Sequence, residues 1–356
     1  MHAGTTGDHR TPAEPGLTAH RDDALDEAAR RLVAGGLVAF PTETVYGLGA
    51  DAENPEAVAR IYAAKGRPSN HPVIVHVAPE ADLHYWAAEV PAEAQALVQA
   101  FWPGPLTLIL PRAPGITAAV SGGQDSIGLR CPSHPVAQAL LRRFAALKGG
   151  QGGVAAPSAN KFGQVSPTRA AHVRGEFPEL GPDALLVLEG GPSEVGIEST
   201  IVDLSRLNQG VGPVLLRPGH ITAEQLAAVL GVMPARPDQA APRVSGSLKA
   251  HYAPRTPLSL VARDALPAVV QEATRRGERL AVVVFAPVPD IQLPNRDAVR
   301  WQLCAAEPHA YASALYALLR ELDAEGHDRI LFECPPAGPD WQAVNDRLGR
   351  AAAAFD

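Results

Sequence analysis

The sequence is poor in cysteine and lacks long apolar runs, and both shortages exclude whole classes of protein. Three cysteines occur in 356 residues, at Cys131, Cys304 and Cys334, and none belongs to a Cys-x-x-Cys pair. They predict neither a disulfide framework nor a zinc site, so a cytoplasmic protein is expected. No apolar run approaches the ~20 residues that span a bilayer. The polar first residues do not resemble a secretory signal, so we expect no membrane association.

Common nucleotide and metal signatures are also missing. The chain has no P-loop, no Gly-x-Ser-x-Gly nucleophile elbow and no His-Glu-x-x-His metal motif. Residues 47–52, GLGADA, imitate a dinucleotide fingerprint, but they do not directly follow a predicted strand, which argues against a Rossmann site there. No metal-ligating residues are assigned. With so little nucleophile or metal apparatus, the chemistry is expected to depend on positioning and electrostatics.

Lysine is scarce: four of the 31 basic residues are lysines, and the others are arginines. A position that stays lysine under such a bias either needs a compact ammonium group or has kept its lysine by chance. The net charge of −7 disfavours an extended nucleic-acid-coating surface, so tight nucleic-acid binding is not expected.

The chain length predicts two domains, and a hydrophobic content of 46% with 19% charged residues supports a globular core. Residues 1–21 are predicted to be a disordered tail. Residues 22–232 contain many strand candidates with interspersed helices. Residues 233–256 have no apolar period and are rich in proline, which predicts a linker. Strand and helix then alternate over residues 257–356, which predicts a small parallel α/β domain.

Two polar loops in the first half hold candidate groups. In PTETVYGLGADA, the hydroxyls of Thr42, Thr44 and Tyr46 precede glycines that let a backbone approach a ligand, although an ordinary glycine turn with a buried tyrosine fits as well. In KGRPSNHPVIVHV, Lys65 and Arg67 flank a glycine at a helix end. Two such cations suit a polyphosphate, or they complement the helix dipole.

A third loop, APSANKFGQVSPT, carries hydroxyls and an amide between a strand and a helix. Ser158 and Asn160 follow the strand, and Ser166 and Thr168 precede the helix. Such groups at a helix N-terminus suit an anion or a ribose, and one of them could equally be the N-cap.

The remaining candidates lie at strands. Ser199 opens a strand, and Arg217 ends one as either a surface charge or a phosphate clamp. Arg130 and His76 lie inside apolar strands. Because burying an unpaired charge is prohibitive, Arg130 must meet either a structural carboxylate or a substrate carboxylate. His76 alone is more typical of a core histidine.

Together these segments resemble one family, the YrdC-type domain of threonylcarbamoyl-AMP synthases, over roughly residues 22–232. The resemblance is carried by seven segments in family order: PTETVYGLGADA, KGRPSNHPVIVHV, FWPGPLTLIL, GLRCPSHP, APSANKFGQVSPT, GIESTIVDL and LLRPG. The following SGSLKAHYAPRTPL and the α/β region after it look like the C-terminal part of the longer, two-domain members. The implied fold is a twisted open α/β barrel with a basic-lined cavity, followed by a small Rossmann-like parallel α/β domain.

The resemblance also implies a reaction. L-Threonine, bicarbonate and ATP, with Mg²⁺ alongside, would give threonylcarbamoyl-AMP and pyrophosphate in a nucleotidyl transfer. The product would be handed to the tRNA threonylcarbamoyl-transferase complex, which modifies the adenosine next to the anticodon. Two rival readings are a non-catalytic RNA-binding protein and a carbamoyltransferase. The larger enzymes of the latter kind carry acylphosphatase-like and zinc-finger-like segments, which this chain lacks.

By family match, site residues fall into three groups. The catalytic cations would be Lys65 and Arg67. L-Threonine would be held by Thr44, His76, Arg130, Ser158 and Ser199, with Arg130 taking the carboxylate bidentately. ATP would be held by Arg67, Asn70, His71, Ser126, Asn160, Thr168, Arg217 and Tyr252.

The linker, residues 233–256, is predicted to act as a lid over the nucleotide. Its lack of an apolar period predicts that little core holds it down. Lys249, His251 and Tyr252 would bring hydrogen-bonding groups to an anion, and closure would keep water from a reactive carbamate. The alternative is an exposed spacer.

Overall fold

The computed structural model describes residues 15–288 and 293–356, with side chains described from residue 21 onward. The strands are β1 Leu37–Phe40, β2 Gly47–Asp51, β3 Ile74–His76, β4 Leu106–Pro111, β5 Ser126–Arg130, β6 Val154–Ala155, β7 Leu185–Val187, β8 Thr200–Asp203, β9 Val214–Arg217, β10 Leu258–Val261, β11 Leu280–Val284, β12 Val299–Leu303 and β13 Arg329–Glu333. The α-helices are α1 Pro15–Val33, α2 Pro55–Lys65, α3 Leu83–Trp86, α4 Ala92–Phe101, α5 Pro135–Leu147, α6 Ala170–Glu176, α7 Ala223–Leu230, α8 Leu266–Arg275, α9 Pro308–Ala324 and α10 Gln342–Ala352.

The first part of the chain forms a mixed nine-stranded sheet in the order β7-β1-β2-β6-β3-β5-β4-β8-β9. Strands β3 and β5 run parallel, as do β4 and β8, whereas β4 pairs antiparallel with β5 and β8 antiparallel with β9. The end strands β7 and β9 do not pair with each other, so the sheet stays open. This arrangement confirms the predicted open mixed α/β architecture.

The second part forms a separate four-stranded sheet in the order β10-β13-β11-β12, with every neighbouring pair parallel. Helix α8 lies between β10 and β11 along the chain, α9 lies between β12 and β13, and α10 follows β13. Parallel strands need crossover connections, and α8 and α9 supply two of them. The parallel α/β domain predicted from the alternation is confirmed.

Local signals place the helix ends as the sequence predicts. Asn54 caps α2 by accepting hydrogen bonds from the backbone amides of Glu56 and Ala57, and Pro55 opens the helix. Gly66 ends it in the left-handed conformation, with φ 63°. Helix α1, in contrast, begins at Pro15, ahead of the predicted domain start at residue 22. The rest of the predicted tail, residues 1–14, lies outside the described residues.

The segment GLGADA, expected to be a glycine-rich loop, is strand β2 instead. It pairs antiparallel with β1 on one side and with β6 on the other. A Cβ atom on Gly49 would come within 2.8 Å of Phe40 and Val154 side chains. That glycine therefore makes room for side chains of neighbouring strands, and its expected role in approaching a ligand stays a prediction.

The two domains share a hydrophobic cluster. Tyr252 of the linker packs in one cluster with Val165 and Ile197 of the first domain and with Tyr316 and Val344 of the second. Burying linker and loop residues with two helices ties both domains and the linker together. In the described parts of the chain, every helix is too short or too polar to cross a bilayer.

Candidate active site

A buried cavity lies where the first sheet, the segments APSANKFGQVSPT and GIESTIVDL, and the linker meet. It is lined by Thr42, Thr44, Val45, Gly47, Ile74, His76, Arg130, Ala156, Pro157, Ser158, Glu198, Ser199, Arg217, Ser245, His251 and Tyr252. All five residues predicted for threonine are among them, with Arg217 and Tyr252 from the predicted ATP set. The cavity measures about 30 Å³, whereas one water needs roughly 10–15 Å³ of such volume. A nucleotide therefore requires the walls to move.

Arg130 reaches the cavity from the end of β5 and is paired with a carboxylate of the protein. Its Nη2 donates to Glu43 Oε1 at 2.6 Å and its Nη1 to Thr44 Oγ1 at 2.8 Å. The sequence left open whether Arg130 meets a carboxylate of the protein or one of the substrate. In the fold it meets a carboxylate of the protein, that of Glu43. Each Nη atom of Arg130 thus makes one hydrogen bond to the protein, and Nε is buried with no hydrogen-bond partner among the described residues.

Lys65 lies behind the cavity wall, where it holds the third polar loop. Its ammonium donates to the backbone oxygens of Ser158, at 2.6 Å, and Asn160, at 2.5 Å. Burial lowers the pKa of Lys65 well below its usual range, and the nearby charge of Arg67 lowers it further. The compact ammonium suits this position, because two carbonyl oxygens of one loop converge on it.

Arg67 and Arg217 converge on the linker residue Ser245. Arg67 Nη1 donates to Ser245 Oγ at 3.4 Å, and Arg217 Nη1 donates to the Ser245 backbone oxygen at 2.9 Å. Burial lowers the pKa of Arg67 to about 10 and lowers that of Arg217 as well. Both guanidinium groups are therefore buried close together, and no carboxylate among the described residues is hydrogen-bonded to either. This arrangement favours an anionic ligand.

The two histidines of the cavity are held neutral. Burial, followed by the charge of Arg130, lowers the pKa of His76 to about 3. Burial also lowers the pKa of His251 to about 3. Near pH 7 both rings therefore offer one donor and one acceptor nitrogen and add no charge.

The linker is more firmly packed than its composition predicts. Val244, His251 and Tyr252 are buried, so the expectation that little core holds this segment is wrong at these positions. Tyr252 adopts φ 61°, in the left-handed region that non-glycine residues rarely occupy. Such a conformation persists where surrounding structure enforces it, often at a functional site.

Ser245 also separates the main cavity from a neighbouring one. That second cavity, of about 10 Å³, is lined partly by Ser126, Arg243 and Val244, and it shares Ile74 and Ser245 with the first. Ser126, predicted for ATP, is therefore adjacent to the site but outside the main cavity. Movement of the linker at Ser245 would join the two spaces.

The cavity lining does not include four other residues predicted for ATP: Asn70, His71, Asn160 and Thr168. Asn70 is exposed, and the His71 ring packs edge-on against Phe162. Asn160 uses its side-chain amide to hold the backbone of its own loop. The Thr168 amide and hydroxyl face His172 Nδ1, at 3.2 and 3.5 Å.

The alternative role of Ser166 or Thr168 as an N-cap is not realised. The residue before α6 is Arg169, which makes no side-chain capping bond. Ser166 instead donates its hydroxyl to the buried carboxylate of Glu198.

Three residues of the site were missed in reading the sequence: Glu43, Glu198 and Ser245. Glu43 and Glu198 could have been recognised from the sequence, because each lies next to hydroxyl residues, in the tripeptides TET and EST of the family segments. Such acids in apolar surroundings need cations, and Arg130 and Arg347 supply them. Ser245 has no local signal, because its place between two arginines depends on how the linker folds back.

Buried Arg130 and Arg217 line the cavity together with hydroxyl side chains, and Lys65 and Arg67 are buried beside it. Such a lining on an open mixed sheet suits an anionic, polar substrate. Two family models match the chain. One, Sua5_yciO_yrdC, described as "Telomere recombination", matches residues 30–219. The other, described as "Threonylcarbamoyl-AMP synthase, C-terminal domain", matches residues 221–353. The chain belongs to the threonylcarbamoyl-AMP synthase family, in its two-domain form.

Individual relatives agree over most of their length. The threonylcarbamoyl-AMP synthase of Bacillus subtilis is 38% identical over 338 residues, 93% of each chain. That of Pyrococcus abyssi is 36% identical over 338 residues, 91% of this chain and 93% of its own. The crystal structure of P. abyssi Sua5 complexed with L-threonine matches with a TM-score of 0.81 and 34% identity, over 94% of this chain and 95% of that one.

These matches confirm the predicted family, fold class and enzyme class, a nucleotidyltransferase that makes an adenylate. They do not support the carbamoyltransferase alternative, because the region after residue 220 matches the synthase C-terminal domain.

Proposed function

We propose that the cavity condenses L-threonine, bicarbonate and ATP into threonylcarbamoyl-AMP and pyrophosphate. The observation that carries the proposal is the convergence of the buried guanidinium groups of Arg67 and Arg217 beside a cavity that also holds Arg130. The threonine amine and bicarbonate give a carbamate and water. A carbamate oxygen then attacks the α-phosphorus of ATP, and the bond to the β-phosphate oxygen breaks. The enzyme supplies positioning and charge neutralisation, and no enzyme nucleophile is needed.

Unsatisfied polar atoms in the site support binding of a polar ligand. Among the described residues, nine buried side-chain atoms have no hydrogen-bond partner, and four of them are Arg67 Nε, Arg130 Nε, Tyr252 Oη and Asn160 Oδ1. Buried polar atoms are otherwise almost always paired, and a missing ligand is one reason for an exception. All four belong to residues assigned from the family motifs.

L-Threonine is assigned to the end of the cavity near β5. There Arg130 Nε would donate to the substrate carboxylate, and the second N–H of an Nη atom would complete the bidentate contact that the family match implies. Ser199 Oγ, which lies 2.8 Å from Thr107 Oγ1 and 3.1 Å from Arg217 Nη2, would face the substrate hydroxyl or carbamate. Thr44, His76 and Ser158 complete this set in the proposal.

ATP is assigned to the linker side. Arg67 and Arg217 would take the phosphates, replacing their contacts to Ser245, with Lys65 fixing the loop behind them. Residues 233–256 would then act as a lid that opens at Ser245 to admit the nucleotide and recloses with Tyr252 against it. The cavity of about 30 Å³ requires such opening.

Mg²⁺ is best treated as part of the nucleotide substrate. In the described residues, no group of three or more His, Cys, Asp or Glu side chains could hold a metal ion. The donor set of the cavity is cationic and fits phosphates better than a metal. Mg²⁺ usually binds through substrate phosphates and water, so it would enter with ATP. Bicarbonate use, hand-over to a tRNA-modifying complex, cytoplasmic location and weak nucleic-acid binding also stay proposals.

The test is to incubate the protein with L-threonine, bicarbonate and MgATP and to detect the adenylate by mass spectrometry and the released pyrophosphate. Omitting bicarbonate should abolish the product. Arg67→Met should lower turnover by ~10–150-fold, the value of a charge-assisted hydrogen bond of ~1.5–3 kcal/mol. Arg143→Met is the control, because Arg143 of the same domain pairs with Asp22 and Asp26 of α1, away from the cavity and the linker. Equal losses in both variants, or no adenylate from the wild type, would contradict the proposal.

A further inference from the structure

Helix α10 of the C-terminal domain inserts a fully buried arginine against the wall of the cavity. Arg347 Nε donates to Glu198 Oε2 at 2.7 Å, and its Nη2 donates to the Glu198 backbone oxygen at 3.2 Å. The side-chain exposure of Arg347 is 0%. A guanidinium group of the C-terminal domain thus fixes both the side chain and the backbone of a cavity residue in the first domain.

Glu198 is held from two further directions. Ser166 donates its hydroxyl to Oε1, and Tyr316 of α9 donates its hydroxyl to Oε2 at 2.8 Å. Burial raises the pKa of Glu198, but the charges of Arg347 and Arg217 and the Ser166 hydroxyl outweigh it and lower the pKa to about 2. The carboxylate is therefore ionised in the fold, and a buried carboxylate that loses its cation is strongly destabilised.

Glu198 passes this constraint to the substrate side through its neighbour. Ser199 follows it directly, lines the same cavity, and receives Arg217 on both its backbone oxygen, at 3.0 Å, and its hydroxyl, at 3.1 Å. A shift of the Glu198 backbone would therefore move Ser199 and the guanidinium group of Arg217.

The same arginine also contacts the linker. The Arg347 guanidinium carbon lies 5.2 Å from the centroid of the Tyr252 ring, a cation–π distance. One turn further along α10, the backbone oxygen of Arg350 accepts a hydrogen bond from the His251 amide at 3.1 Å. Helix α10 therefore contacts the cavity wall and the closed linker at adjacent positions.

We propose that Arg347 is a positioning residue of this active site, which acts from the C-terminal domain by holding the Glu198–Ser199 wall and the Tyr252 ring in register. The inference rests on the proposed function. Arg347 does not itself line the cavity, so it contributes to the reaction through the residues it holds. The C-terminal domain thereby becomes part of the machinery that aligns the substrate site with the lid.

The test compares Arg347→Met and Arg347→Lys with a control, Arg329→Met. Arg329 pairs with Glu278 at 2.6 Å inside the C-terminal domain and is placed in neither the linker nor the cavity. Two readouts are used: KM and kcat for ATP and L-threonine, and the rate of tryptic cleavage in the linker without ligands. Lysine keeps the charge but cannot reach the carboxylate, the backbone oxygen and the ring together.

We expect Arg347→Met to raise the KM for ATP or for L-threonine by about ten-fold or more and to speed linker cleavage. Arg347→Lys should change both quantities in the same direction, and Arg329→Met should leave both unchanged. If Arg347→Met does not fold, as judged by circular dichroism, Arg347→Lys carries the test. Wild-type KM and cleavage in the lysine variant, or equal changes in the control, would overturn the inference. Linker cleavage does not depend on catalysis. A wild type that makes no adenylate would therefore refute the proposed function, and the cleavage rates of the variants would still test the role of Arg347.

Discussion

Replacing Gly246 by alanine tests whether the closed linker depends on the fit of its glycine against Tyr252. Gly246 has φ 77°, and a Cβ atom there would lie 1.9 Å from Tyr252 Oη and 3.3 Å from Arg217 Nη1. The phenol is buried, so it cannot swing into solvent without leaving the cluster that joins the domains. The alanine and the present position of Tyr252 are therefore mutually exclusive.

The expected cost has two parts. An L-residue in the left-handed region costs ~1–2 kcal/mol, and overpacking a buried site adds typically ~1–3 kcal/mol. Gly231→Ala isolates the first part: Gly231 ends α7 with φ 72°, and an added Cβ would meet no atom within 4 Å. The difference between the two variants then measures the contact with Tyr252.

The assay is tryptic cleavage of the unliganded protein at the exposed Lys249, with thermal unfolding as the check on the whole fold. When opening is fast, cleavage follows the population of the open state. An extra 1–2 kcal/mol against closure corresponds to a ~5–30-fold larger open population. We therefore expect Gly246→Ala to be cut at least about five-fold faster than Gly231→Ala. Equal cleavage of the two variants would refute the packing of Gly246 on Tyr252.

Three further outcomes are expected. Arg130→Lys should weaken L-threonine binding about ten-fold or more and leave ATP binding unchanged in isothermal titration, because lysine cannot serve Glu43, Thr44 and the substrate together; a selective loss of ATP affinity would reverse the assignment. Arg130→Ala should lower the free energy of unfolding by ~3–5 kcal/mol in chemical denaturation, since it leaves the buried Glu43 carboxylate unpaired; unchanged stability would contradict that pairing. For His251, the unfolded chain takes up a proton near pH 6.5 and the folded chain only near pH 3, so stability falls as pH drops through that range. Between pH 7 and pH 5 the wild type should therefore lose ~2 kcal/mol more than His251→Gln, and identical pH profiles of the melting temperature would count against a neutral buried ring.

Elements of the fold with strong local signals were predictable. The ends of α2 follow from Asn54, Pro55 and Gly66, each of which acts within one helical turn. The alternation of strands and helices after residue 256 predicts a parallel sheet, because crossover helices leave a regular pattern. Strand β2 was not predictable in this way, because its glycines are required by close contacts with Phe40 and Val154 on neighbouring strands and not by a local turn.

The types of residue at the site were predictable, but their partners were not. An arginine in an apolar strand predicts an anion nearby, and Arg130 meets one, yet only the sheet register brings Glu43 to it. Lys65 was expected to face a phosphate, and in the fold its ammonium holds the carbonyls of a loop more than 90 residues away.

The sequence by itself determined the chemistry that this chain can offer: the cations, hydroxyls and histidines, and the motifs that place it in its family. These depend on residue identity and short spacing. Tertiary structure alone decided that Ser245 lies between Arg67 and Arg217, and that Arg347 reaches Glu198 from 149 residues along the chain. Such contacts arise because the burial of Tyr252 with residues of α9 and α10 brings distant parts of the chain together. The burial of apolar surface is non-directional, so it leaves no local pattern from which a particular partner could be predicted.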